Sequence, residues 1–88
     1  MPSLQVKPRV VVVEQGTALS ALVNRYAEGL EPVTVQDLTE AAYAVEANAA
    51  SALIVNEGPE GNAKILRRLP RMAFSVPILS CWVPERQS

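Results

Sequence analysis

The chain has 88 residues, a formal net charge of −1 and no histidine; 49% of it is hydrophobic and 19% charged. That length holds one domain around one core, the composition excludes a disordered segment, and the lack of histidine excludes Ser-His and Cys-His nucleophile pairs and His-ligated metal sites. No apolar run reaches the length of a membrane span, Met1–Lys7 lacks the apolar centre of a secretory signal, and Cys81 has no second cysteine to pair with, so the expected setting is cytoplasmic.

Arg9–Val13, RVVVV, is a β-branched run without alternation, the pattern of a strand buried on both faces of a parallel sheet. Gly16-Thr17 opens a helical pattern with Thr17 as N-cap, Leu19, Leu22, Val23, Tyr26 and Leu30 on one face, and Gly29 at its end. Pro32–Gln36 reads as a shorter, more polar strand, which its leading proline confines to a sheet edge. Asp37–Glu40 has the spacing of a capping box, and the alanine-rich stretch behind it, through Ala49 and Ala50, is strong helix material that can lie close on a sheet.

Ala52–Val55, ALIV, is a third strand. Gly58–Gly61 reads as a loop, Asn62–Leu69 as a third helix disturbed by Pro70, and Val76–Val83 as a fourth strand. Charge is lopsided along the chain: residues 1–63 carry three Lys/Arg against eight Asp/Glu, and 64–88 carry five against one. Lys64, Arg67, Arg68 and Arg71 share one helix face, opposite Ile65, Leu69 and Met72. Such a stripe reads as a solvated outer face or as a patch for an acidic partner; without interleaved aromatics or a nucleic-acid motif, nucleic acid is not expected as a partner of this domain.

Strand-helix three times, then a strand, with right-handed crossovers, implies an open parallel sheet. The apolar first, third and fourth strands belong inside and the polar second at an edge, which gives the order 2-1-3-4. The expected fold is therefore α/β, a flavodoxin-like three-layer sandwich, incomplete after the fourth strand, in a single domain spanning 1–88 and structured over about 8–84. The carboxyl ends of strands one and three then lie side by side, where ligands and chemistry collect in such sheets, and bring Glu14, Gln15, Asn56 and Glu57 to one crevice.

With RVVVVEQG and SALIVNEGPEG in these places, followed by LRRLP and VPIL, residues 8–84 resemble the response-regulator receiver family. In that family two acidic residues end the first strand and a phosphate-accepting aspartate ends the third. Here those positions hold Glu14 with Gln15, and Asn56. The amide of Asn56 is a far poorer nucleophile than a carboxylate, and Mg²⁺ is left one carboxylate of a pair. By spacing from Pro77, the family's hydroxyl position falls on Trp82, with Ser80 two residues earlier, and its later lysine has no counterpart. The resemblance thus implies a degenerate receiver that is truncated after the fourth strand. Read without the family, Asn56 caps or turns a strand end, and Glu14 and Glu57 are either two solvated carboxylates or a weak site for a divalent ion.

The expected function is that of a non-catalytic pseudo-receiver module of a two-component-type signalling or transcription-regulating protein, with no cofactor, metal or membrane. It would act through a protein partner or as a homodimer, with fusion to an output or kinase domain left open. The expected contact surface is Ile78, Leu79 and Trp82 on strand four, with Lys64, Arg67, Arg68 and Arg71 beside it. The alternatives are a receiver with residual phosphate-accepting or Mg²⁺-dependent activity, and an unrelated small α/β protein.

Overall fold

A computed structural model describes residues 7–69 and 74–84. Four parallel strands alternate with three helices: β1 (Arg9–Val13), α1 (Ala18–Tyr26), β2 (Glu31–Val35), α2 (Leu38–Ala47), β3 (Ala52–Val55), α3 (Gly58–Arg68) and β4 (Ile78–Ser80). The strand order is β2-β1-β3-β4, the flavodoxin-like topology expected from the polarity of the strands. β1 pairs with β2 from Arg9↔Glu31 to Val13↔Val35 and with β3 from Val10↔Ala52 to Val13↔Val55, while β3 pairs with β4 only from Leu53↔Ile78 to Val55↔Ser80.

The unbroken valine run follows from this placement, because β1 is covered on both faces. Val11 and Val13 join Leu53, Val55 and Val35 under Ala41, Ala44 and Val45 of α2, with Ile65, Phe74, Val76 and Ile78 at the margin. Val10 and Val12 face the other way, against Leu19 and Val23 of α1, with Ile54, Cys81 and Val83 partly covered beside them. Each fully buried valine or leucine among them stabilises the fold by about 1.5–3 kcal/mol relative to leaving it exposed. Alanine at 41 and 44 lets α2 approach the sheet closely.

Several boundaries differ from the sequence reading. Gly58–Gly61 is the first turn of α3 rather than a loop: Pro59 sits where a missing N–H costs nothing and its fixed φ suits a helix start, and Gly58 makes the turn into the helix at φ +82°. A Cβ on Gly58 would also meet the Trp82 ring at 3.4 Å. Residue 61 is glycine because a Cβ there would lie 2.6 Å from Cβ of Glu57.

α2 stops at Ala47, short of the full alanine tract. Ala49 takes φ +49° while its N–H and that of Ala50 bond the carbonyls of Glu46 (3.3 Å) and Val45 (3.0 Å), so the helix closes in a Schellman motif. Asp37 caps α2 as expected, its carboxylate accepting the Glu40 N–H at 2.8 Å. β2 runs from Glu31 to Val35, with Pro32 second rather than first. Glu31 turns its N–H towards β1, to the Pro8 carbonyl, so the alternate Pro32 faces the open edge, where no N–H is needed.

On α1, Leu19 and Val23 are buried whereas Leu22 and Tyr26 are exposed, because among the described residues α1 is the single helix on its side of the sheet. β4 proper spans three residues instead of Val76–Val83. Backbone pairing continues through Cys81 N–H to the Val55 carbonyl (2.9 Å) and then passes to a side chain, Asn56. No helix among the described residues is long and apolar enough to cross a membrane.

Candidate functional site

Glu14, Gln15, Asn56 and Glu57 do meet at the carboxyl ends of β1 and β3, in a crevice of about 230 Å³ that Trp82 and Val83 close from the β4 side. Glu14 is 2% exposed, directly after the buried valines of β1. Its carboxylate lies over the start of α1 and accepts hydrogen bonds through both oxygens. Oε1 takes the Leu19 N–H (3.0 Å) and the Asn56 amide (3.0 Å), and Oε2 takes the Ser20 N–H (2.9 Å) and the Ser20 hydroxyl (2.7 Å). Glu14 therefore caps α1 from outside the helix. The N-cap position is Thr17, but its side chain makes no capping hydrogen bond.

Burial alone pushes the Glu14 carboxyl up; the hydrogen bonds from Ser20, Leu19 and Asn56 together outweigh it and hold the group below its ordinary value. Ser20 has one proton, spent on Glu14, so in its hydrogen bond with Thr34 of β2 the threonine hydroxyl is the donor. One carboxylate thus links β1, α1, β3 and, through Ser20, β2.

Both polar atoms of the Asn56 side chain are engaged within the fold. Its Nδ2 donates to Glu14 Oε1 and to the Val83 carbonyl (3.0 Å), and its Oδ1 accepts the Val83 N–H (2.8 Å). The amide copies one rung of a sheet ladder and fastens the chain beyond β4 to the end of β3. An aspartate at 56 would supply two acceptors where Glu14 and the Val83 carbonyl both require a donor. Asparagine is therefore the residue this junction demands.

A second buried amide, Asn62 of α3, repeats the device. Its Oδ1 accepts the Glu57 N–H (2.8 Å), and Nδ2 donates to the Ser80 hydroxyl (3.0 Å) and the Cys81 carbonyl (2.7 Å). Gln15 donates to the Gln36 carbonyl (2.8 Å) and to Glu57 Oε1 (3.2 Å), so the carboxylate of Glu57 faces an amide at the rim.

Sequence reasoning placed the four rim residues together but missed Ser20, Asn62 and Val83, which give the rim its geometry. Ser20 carried one legible signal, a hydroxyl between Leu19 and Val23 at helix spacing; Asn62 and Val83 carried none, because their partners lie across the fold.

The residues expected to form a contact surface divide. Ile78 is turned inward, onto the α2 side of the core. Leu79 is 50% exposed and Trp82 57% exposed. Lys64, Arg67 and Arg68 are exposed; Lys64 and Arg68 line a groove of about 240 Å³ shared with Asp37 and Glu57, so cations and carboxylates share that groove. Arg71 lies outside the described residues. A larger hollow of about 600 Å³ runs along α1 beside Leu22, Tyr26, Val83 and Pro84.

No protein-family model, curated protein or solved structure matches the chain.

Proposed function

We propose that this chain is a non-catalytic, receiver-like module that acts through protein–protein contact, in the manner of a pseudo-receiver in a signalling or transcription-regulating protein of the cytoplasm. The observation that carries the reading is the commitment of Asn56: the residue at the phospho-acceptor position of a receiver holds Val83 and Glu14 with every polar atom of its side chain. Its neutral amide is a poor nucleophile, and both neighbouring Glu14 oxygens already accept hydrogen bonds from α1 and Asn56, so a divalent cation bound there would have to displace the cap of α1. A rim built to hold the sheet together suits a scaffold better than a switch. What such a module offers instead is surface, and its large exposed apolar residues include Leu66, Leu79 and Trp82 around β4.

Incubating the protein with Mg²⁺ and acetyl phosphate and weighing it intact tests the reading. The mass is expected to stay unchanged; a hydroxylamine-sensitive gain of one phosphoryl group would overturn it.

A further inference from the structure

The β4 edge of the sheet offers a self-complementary backbone. Pro77 accepts from the Leu53 N–H, Cys81 donates to the Val55 carbonyl, and Val83 exchanges both its backbone bonds with Asn56. Residues 77, 81 and 83 therefore turn their main-chain groups towards β3, and by strand alternation Ile78, Ser80 and Trp82 turn theirs to the open side. Among the described residues no strand lies beyond them.

Natural sheet edges are guarded by charge, proline or a bulge on the outward-facing residues. From Phe74 to Pro84 there is no charged residue, and neither proline of that stretch, Pro77 or Pro84, lies among the three outward-facing residues. The flanks are apolar as well. Leu79 and Trp82 are half-exposed, and Leu66, 43% exposed, lies one helical turn from Asn62, the residue that bonds β4. Two of the cations of α3, Lys64 and Arg68, line the groove on the side of α2 instead.

We infer that β4 pairs antiparallel with β4 of a second copy across a two-fold axis at Ser80. In this register Ser80 faces Ser80 of the partner subunit and Ile78 faces Trp82 of the partner subunit, so the outward N–H and C=O groups of all three residues are satisfied by one another. Leu79 faces Cys81 of the partner subunit as a non-hydrogen-bonded pair, the close type, on the α1 side of a continuous sheet. The two-fold closes the assembly, as a parallel or offset addition would not. This inference rests on the contact-module reading and names its partner.

Sedimentation equilibrium of the 88-residue chain at about 100 μM is expected to give twice the 9.5 kDa chain mass. Ser80→Pro removes an outward N–H that β3 does not use and should leave a folded monomer. Ser80→Ala loses the same hydroxyl, keeps the N–H and should remain dimeric. Leu79→Cys should cross-link to the native Cys81 of the second copy under mild oxidation, and Leu79→Cys with Cys81→Ser should not. A monomer at that concentration, or a dimer that Ser80→Pro leaves intact, overturns the inference. A monomer that also takes no phosphoryl group leaves the contact-module reading standing, whereas phosphoryl gain removes that reading whatever the mass.

Discussion

The two edges of the sheet are held and guarded by opposite means. β2 is paired with β1 over its whole length, its open side carries Pro32, and Glu31 at its start accepts a hydrogen bond from Arg9 at 3.3 Å. β4 has a shorter backbone ladder, no charged residue between Phe74 and Pro84, and two buried amides, Asn56 and Asn62, in place of further strand pairing. A guarded edge can face water indefinitely; an unguarded one that is firmly anchored is suited to receive another strand. The polar rim and the apolar edge are thus two halves of one arrangement, since the amides of Asn56 and Asn62 are what keep β4 extended and presentable.

The largest disturbance of this contrast is expected from Asn56→Asp. It sets a second carboxylate against Glu14 and removes the donor to the Val83 carbonyl, a loss of about 3 kcal/mol at pH 7. Like charges in one site raise the pKa of the pair, so the penalty is full above that raised value and relaxes as pH falls through it; melting curves at pH 5 and 7 should converge towards wild type at the lower value. In the wild-type protein the sign is reversed. Glu14 is held below its ordinary pKa, so its contribution is complete above the unfolded value of about 4.3 and is lost as pH falls through the lower folded value, where the α1 cap protonates.

Next in size is Asn62→Ala, which strips the bonds to Ser80 and Cys81 and should lower stability by about 2 kcal/mol in urea denaturation. Hydrogen exchange should report the loss at β4 and the start of α3 and leave β2 protected. At the other edge, Glu31→Ala removes an ion pair between partly exposed side chains and is expected to change stability by only about 0.3 kcal/mol. If that variant began to self-associate, the guarding role assigned to the β2 edge would be confirmed directly.

Much of the fold was legible because its signals are local. The RVVVV run, the Asp37 cap and the polar character of β2 each report burial or chain geometry within a few residues, and together they fix the order 2-1-3-4. The misreadings arose where one residue serves two rules. Gly-Pro at 58 and 59 marks a loop or a helix start with equal force, and the alanines at 49 and 50 suit a helix that the Schellman closure had already ended. At the rim, the four residues Glu14, Gln15, Asn56 and Glu57 were found by topology, yet their hydrogen bonds were not.

The sequence by itself determined the class of the fold, the buried central strand and the presence of a neutral amide, Asn56, at the end of β3, because periodicity and residue chemistry are written locally. Only the tertiary structure decided what that asparagine does. Its partners, Glu14 and Val83, lie 42 and 27 residues away in the chain, and a side chain that must donate twice and accept once declares that need only when the fold has brought those groups within 3 Å.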